Sequence, residues 1–277
     1  MNPNIFLINL NERPERYANT ITQLEKVNLD NIIIRQKACN SENAQLLKYQ
    51  YIDESIESNI TDKLTNTKLL PTWGAVGCAI SHVQCWENII KMNLEYAIIL
   101  EDDNQIIDES KFKYRYNAAN TLMKRNNDIK LLISLCSKTQ EDYRINYINN
   151  DENLYKPLGD IIGTSFYFIN YNAAKYLLKT MPIKYQIDIH ISRITRSKND
   201  ELRCLIYKNT GIIQSEDFKS DVQYHFLTIT ELHIIFKYIP TEMLEKIYFY
   251  LPHKDEFLSE ELYSEYNYNY HYDTYIY

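Results

Sequence analysis

The chain has 277 residues, a net charge of −7 and a pI near 5.5, with 45% hydrophobic and 24% charged residues. That length is enough for one large α/β domain whose core needs no disulfide or metal staple. The acidic balance argues against nucleic acid and anionic membrane as partners, since Lys and Arg come only in short runs among acids, as in Lys111-Phe-Lys113-Tyr-Arg115.

The five cysteines, Cys39, Cys78, Cys85, Cys136 and Cys204, are odd in number and show no zinc-like or redox-like spacing. Reduced, buried thiols and a reducing compartment, the cytoplasm, are therefore expected. The abundance of Asn, Ile, Lys and Tyr resembles translation from an AT-rich genome; a large virus of that kind would place the protein in host cytoplasm or virion. The N-terminal residues lack the basic start and long apolar stretch of a signal peptide, and no segment approaches the ~20 apolar residues that span a bilayer. Nothing in the pattern fixes an oligomeric state.

Asn4–Leu10 is a short apolar run and reads as a buried strand. Asn11-Glu12-Arg13-Pro14 opens a helix to about Val27, because proline suits the first helical turn. Ile32–Lys37 is a second strand, so the chain starts as a parallel α/β sheet does. Ser41–Leu70 reads as a helix plus a long loop. Gly74–Met92 is a helix with Val76, Ile80, Val83, Trp86, Ile89 and Ile90 near one face. Then come a strand at Tyr96–Leu100, a helix at Asn117–Arg125, a strand at Lys130–Leu135 and a polar excursion over Gln140–Tyr155. Ser165–Ile169 is a strand, Asn172–Lys179 a helix stopped near Pro182, and Cys204–Tyr207 one more strand. Residues 1–221 form the main domain in this reading. Residues 222–262 carry helical periodicity and form an extension, and residues 263–277 are a tyrosine-rich, low-complexity tail.

Chemistry concentrates in four blocks. Glu101-Asp102-Asp103 follows the apolar strand directly, and in open α/β sheets ligands bind beyond the carboxyl ends of strands. Two unit charges ~4 Å apart repel by about 4 kcal/mol at an effective dielectric of 20, so a hard divalent cation would relieve the cluster and could hold a diphosphate. The bland alternative is a solvated acidic turn. The second block, Gly74-Ala75-Val76-Gly77-Cys78-Ala79-Ile80-Ser81-His82, lets a helix start approach another backbone; a single His on such a helix is usually a structural hydrogen-bonder. The third is Gly163-Thr164 ahead of the strand at 165–169. The fourth is Asp188, an acid in the alternation Ile187-Asp188-Ile189-His190-Ile191, facing either a cleft or solvent.

In this order the blocks resemble glycosyltransferase family 25, the lipopolysaccharide and collagen β-galactosyltransferase-like enzymes. The resemblance rests on Ile8-Asn9-Leu10-Asn11…Arg16, Gly74 to Trp86, Leu100–Asp103, Gly163–Leu178, Pro182…Asp188 and Gln214…Ser220-Asp221, and covers roughly residues 4–221. Asn11 stands where an Asp is usual, and Ala75 where an acid is common. The resemblance implies a GT-A-like, Rossmann-type nucleotide-sugar-binding α/β domain. It implies a metal-dependent inverting transfer of galactose or glucose from a UDP-sugar donor to a hydroxyl on a glycan or hydroxylysine-type protein acceptor. It places Mn²⁺ or Mg²⁺ on Glu101, Asp102 and Asp103, and the nucleotide-sugar on Asn9, Asn11, Arg13, Arg16, Ser81, His82, Gly163 and Thr164. Asp188 becomes the catalytic base, or else the residue that orients the acceptor. A nucleotidyltransferase would show a glycine-rich phosphate loop, which is missing here. A non-enzymatic binding protein on a decayed transferase fold is the other alternative.

Overall fold

The structure is a computed structural model and describes residues 3–60, 70, 72–139, 145–148, 151–196 and 201–215. The extension and the tail expected over residues 222–277 lie outside the described residues.

The chain opens with β1 (Asn4–Asn9), α1 (Pro14–Lys26), β2 (Ile33–Lys37) and α2 (Ser41–Tyr51). The short α3 (Glu57–Ile60) and the long α4 (Trp73–Lys91) follow, then β3 (Tyr96–Glu101), β4 (Asn104–Ile106), α5 (Glu109–Arg125) and β5 (Lys130–Ser134). Next are β6 (Lys138–Thr139), β7 (Ile145–Ile148), β8 (Asp151–Pro157), β9 (Ile161–Ile162) and β10 (Phe166–Asn170). The described part closes with α6 (Tyr171–Leu178), α7 (Ile187–Thr195), β11 (Leu202–Tyr207) and β12 (Ile212–Gln214).

Several boundaries have visible local causes. Pro14 takes the first turn of α1, where its missing N–H is no loss. Asn40, Thr72, Asp108 and Asn170 cap α2, α4, α5 and α6, each side chain accepting from the backbone N–H three residues on. The Asp108 cap starts α5 eight residues before the Asn117 expected from hydrophobic periodicity alone.

Eight strands form one sheet in the order β2-β1-β3-β10-β5-β11-β8-β7. β1 pairs parallel with both β2 and β3, and β5 pairs parallel with β11. β10 runs antiparallel between β3 and β5. The α/β fold with a Rossmann-type opening is therefore the observed one, with a mixed sheet rather than a parallel one. The polar excursion expected over residues 140–155 instead supplies β7 and most of β8, an antiparallel pair at the sheet edge. Polar edge strands carry little apolar alternation, so the pattern hid them. β4 was also missed; three residues long, it pairs with β12 just beyond the acidic triplet.

Side chains alternate between the two faces of the sheet. Phe6, Ile8, Ala97, Ile99, Tyr167 and Ile169 face the layer holding α2, α4 and α6. Ile5, Leu7, Ile98, Leu100, Phe166 and Phe168 face the layer of α1 and α5. The same alternation decides where the functional side chains go. Glu101 follows Ala97 and Ile99 toward α4, whereas Asn9 follows Ile5 and Leu7 toward α1.

Gly77 shows why α4 needs a small residue. A Cβ built there would lie 2.1 Å from the Cys39 carbonyl oxygen, in the segment linking β2 to α2. All five cysteines are free thiols, as expected. Among the described residues no helix is long and apolar enough to cross a membrane.

Gly77→Ala should force α4 off the β2–α2 segment and destabilise the protein by about 3 kcal/mol. Chemical denaturation measures this; an unchanged midpoint would show that the contact can relax without loss.

Candidate active site at the β1–β3 switch point

β1 has β2 on one side and β3 on the other, so the chain reverses its direction of sheet growth between β1 and β3. Crevices of this kind, beyond the carboxyl ends of the strands, are where α/β sheets bind ligands. The acidic triplet leaves β3 at this end, and its three carboxylates go to three different environments.

Asp102 turns toward α1. Its carboxylate accepts from Asn9 Nδ2 at 2.5 Å and lies 3.8 Å from the Arg16 guanidinium, while its backbone oxygen accepts from Thr20 Oγ1 at 3.2 Å. Asp102 is 9% exposed and Asn9 1%. Asn9 is saturated: its amide also donates to the Arg13 carbonyl, and its oxygen accepts from Arg35 Nε at 3.1 Å and from a second guanidinium nitrogen of Arg35. Asp102, Asn9 and Arg16 thus form a buried polar link between the ends of β1, β3 and the start of α1. Asn11 is exposed and Arg13 half-buried, at the entry to that helix.

Glu101 faces α4. Its Oε1 accepts from His82 Nε2 at 3.2 Å and lies 3.5 Å from Thr164 Oγ1. His82 is fully buried, and its Nδ1 lies 2.9 Å from the Tyr167 hydroxyl, which itself accepts from Trp86 Nε1 at 3.0 Å. The indole can only donate. The Tyr167 O–H can then donate to His82 Nδ1, an arrangement in which the His82 Nε2–H donates to Glu101. Cys78 Sγ, a ring nitrogen of His82 and a Glu101 oxygen lie within 4.8 Å of one another, a spacing a metal ion could use. Ligation through His82 Nε2 would move its proton to Nδ1 and strand the Tyr167 O–H inside the core. The hydrogen-bonded arrangement is the better-satisfied one.

Asp103 is the least satisfied of the three carboxylates. Its Oδ2 accepts from Gln214 Nε2 at 2.7 Å and its backbone oxygen from the Ser215 N–H. Its Oδ1 is shut off from solvent with no partner among the described residues. Burial first, then the Glu101 carboxylate, push its pKa up to about 7. A buried carboxylate oxygen without a donor, beside a second carboxylate, suits a divalent cation. Asp103 and Glu101 are the residues that fit one; Asp102 is committed to Asn9 and Arg16.

Asp188 sits in the first turn of α7. Its Oδ2 accepts from the Gly163 N–H at 3.0 Å, its Oδ1 from its neighbour Ile189 N–H at 2.7 Å. Burial raises its pKa against the lowering effect of these bonds, and Glu101 adds to the rise. Gly163 holds φ +82°, a left-handed conformation that presents its N–H to Asp188. Ser81 is buried and fully used, accepting from Cys39 N–H at 2.8 Å and donating to the Gly77 carbonyl at 2.7 Å.

The structure thus groups Glu101, Asp103, His82, Gly163, Thr164 and Asp188. Asn9, Asp102, Arg16 and Ser81 support this group from within the fold. Three participants were not singled out as site residues from sequence. Cys78 is raised in pKa by burial and then by Glu101, Asp188 and Asp103, which places it among the acids. Tyr167 looked like one more apolar strand residue, and Gln214 stood only in a late motif.

Residues 2–191 match the sequence profile of glycosyltransferase family 25 (LPS biosynthesis protein), and the chain belongs to that family. It is 26% identical over 211 residues to a glycosyltransferase 25 family member of Aedes aegypti, covering 76% of this chain and 33% of that protein. It is 28% identical over 144 residues to procollagen galactosyltransferase 2 of Mus musculus, covering 52% of this chain and 20% of that one. An inactive glycosyltransferase 25 family member 3 of the same species is 27% identical over 104 residues, 38% of this chain and 17% of the relative. The chain therefore spans a third or less of the length of these relatives. Among solved structures, an apo UDP-glucose pyrophosphorylase aligns over 75% of this chain and 90% of its own, at 11% identity and a TM-score of 0.38.

The raised Asp103 pKa carries a stability consequence. Between the ordinary carboxylate range and about pH 7 the folded state keeps a proton that the unfolded state has released. The stability conferred by protonated Asp103 is thus complete at acid pH and lost as pH rises through 7. Asp103→Asn should make the metal-free protein more stable at pH 8 by a few kcal/mol and flatten its melting temperature across pH 5–8. A variant less stable than the parent at pH 8 would contradict this reading.

Proposed function

We propose that the chain is a metal-dependent inverting glycosyltransferase that moves a hexose, galactose or glucose, from a UDP-sugar to an acceptor hydroxyl. The observation that carries the reading is the buried Oδ1 of Asp103, without a partner among the described residues, beside Glu101 at the switch point in a chain of family 25. Mn²⁺ or Mg²⁺ bound there would neutralise the donor diphosphate and act as a Lewis acid on the departing phosphate. Glu101 and Asp103 hold that position. His82 and Thr164 keep the Glu101 carboxylate oriented, and the Asn9–Asp102–Arg16 link keeps the strand ends together beneath it. Arg13 and Asn11, at the entry to α1, would meet the nucleotide in this reading.

The transfer is a single displacement. The bond from the anomeric carbon to the phosphate oxygen breaks, and the bond to the acceptor oxygen forms on the opposite face. UDP leaves with the electron pair, and the acceptor proton needs a base. Asp188 is that base in this reading, because burial makes its carboxylate more basic than usual while two backbone N–H groups fix its direction. The acceptor class of this reading is a hydroxyl on a glycan or on a hydroxylysine-type protein, in line with relatives named for procollagen and for LPS biosynthesis.

A second reading is a chain that binds nucleotide-sugar without transfer, favoured by the relatives named inactive. Thermal shift with UDP, UDP-galactose and UDP-glucose, with and without Mn²⁺, together with a UDP-release assay, separates the two. Metal-dependent stabilisation and UDP release are expected from the parent. Glu101→Gln and Asp103→Ala should each lower release by about a hundredfold or more. Asp188→Asn should keep the donor-induced shift and lose transfer. Donor binding without release in the parent would leave the non-catalytic reading standing, and no shift with any nucleotide would end the sugar-nucleotide assignment.

A further inference from the structure

α7 carries Asp188 on the side that meets Gly163. A different face of the same helix, with His190, Arg193 and Ile194, lines a cavity of about 400 Å³. Its other walls are Tyr176 and Thr180 from the end of α6, and Pro182, Lys184 and Tyr185 from the segment between the helices. It shares no lining residue with the acidic site. Its volume lies at the lower end of the ~300–1,000 Å³ of small-molecule pockets, a size for a mono- or disaccharide.

The polar groups in its wall have assigned directions. Thr180 Oγ1 donates to the Leu177 carbonyl at 2.6 Å, so toward His190 Nε2, 2.9 Å away, it can only accept. His190 therefore carries its proton on Nε2, which leaves Nδ1 with a lone pair and no partner among the described residues. The residue is 6% exposed, and burial pushes its pKa down to about 4, so it stays a neutral acceptor at physiological pH. A ligand hydroxyl is the natural donor for such a nitrogen.

Arg193 stacks on the Tyr185 ring, with the guanidinium carbon 3.9 Å from the ring centroid, and donates one N–H to the Tyr185 hydroxyl at 3.1 Å. Among the described residues it has no carboxylate partner. These two contacts restrict the guanidinium and leave its other N–H donors for a ligand, and a guanidinium fork reads a carboxylate or phosphate bidentately. Lys184 adds positive charge at the rim, although it is already paired with Asp53 at 3.1 Å. The cavity thus offers a pre-oriented cationic fork, a hydroxyl acceptor and tyrosine walls in a protein of net charge −7.

We propose that the cavity between α6 and α7 binds an anionic saccharide, with Arg193 on its carboxylate or phosphate and His190 Nδ1 on one of its hydroxyls. A neutral sugar would leave the fork of Arg193 unused, and a bare anion would leave His190 unmatched. That this saccharide is the acceptor, or a part of it, rests on the transferase reading above; the binding itself does not.

Isothermal titration with glucuronate, glucose 6-phosphate, glucose and inorganic phosphate tests it. At least one of the two sugar acids should bind saturably, and whether glucuronate or glucose 6-phosphate is preferred tells which acid the fork takes. Glucose and phosphate should bind about tenfold more weakly or not at all. Arg193→Ala should weaken the sugar acid by about tenfold or more, with Arg193→Lys recovering only part, since an ammonium lacks the fork. Arg193 is exposed, so both variants should fold, and their melting curves check this. Equal binding of glucose, undiminished binding by Arg193→Ala, or no saturable binding of either acid would each overturn the proposal. Sugar-acid binding that survives in Asp103→Ala supports a site separate from the nucleotide. If UDP-sugars fail to bind the parent while the sugar acid binds, the transferase reading falls and this one stands.

Discussion

The contact between Asn9 and Asp102 organises the rest of the site. Three successive carboxylates cannot share one direction without strong repulsion, and this hydrogen bond, with Arg16 behind it, draws the middle one into the layer beneath the sheet. Once Asp102 is held there, Glu101 keeps its strand direction toward α4, and Asp103 is left at the turn with one oxygen unserved among the described residues. Asn9 has no freedom to relax this, because Arg35 and the Arg13 carbonyl use its remaining groups. The charge separation at the site is therefore set from within the fold, before any ligand arrives.

On the opposite face of the sheet a second chain of hydrogen bonds does a complementary task. Trp86, Tyr167 and His82 form a one-way series that ends on Glu101. The indole can only donate, and a Tyr167 O–H given to Nδ1 leaves the His82 Nε2–H for Glu101. In that arrangement His82 reaches Glu101 as an N–H donor, which orients the carboxylate. An oriented carboxylate is what a cation site would require. The ring stacking of His82 on Tyr167, with centroids 5.7 Å apart, keeps this series in register with α4.

The framework and the position of the acidic cluster were readable from the sequence because each rests on a local or periodic signal. The apolar runs of β1, β3, β5 and β10 and the face of α4 gave their positions to within a residue or two. The triplet at the end of β3 followed from the rule for strand ends, and Gly77 from its scarcity value. The division of labour inside the triplet was not readable. It depends on Asn9 and Arg16, which are 93 and 86 positions away, and neither has a residue type that announces a structural role. Tyr167 was hidden for a similar reason: in a strand flanked by phenylalanines it reads as core, and its hydroxyl matters only because α4 lays His82 and Trp86 over it. The edge pair β7–β8 was missed because edge strands need no apolar face, and the Asp108 cap shows α5 starting where polarity, not periodicity, marks the boundary.

The helix α7 links the two halves of the proposed reaction. Its first turn holds Asp188 by a backbone N–H from Gly163, and Ser192 one turn later donates to the Asp188 carbonyl and accepts from the Ile161 N–H. These bonds tie the helix to β9 and the loop that carries Thr164, and so to the Glu101 side of the site. The face with His190 and Arg193 is thereby placed at a fixed offset from Asp188, because a helix of nine residues has no internal freedom to change it. With a rise of ~1.5 Å per residue, Asp188 and Arg193 are separated by about 7–8 Å along the axis, within the reach of a disaccharide. A base and an anion-reading fork on one short rigid element would make acceptor choice and acceptor activation parts of the same structural unit. The proposed donor side, by contrast, is built on strand ends locked by buried hydrogen bonds, so in this reading acceptor preference would vary through α7 while the donor chemistry stays fixed.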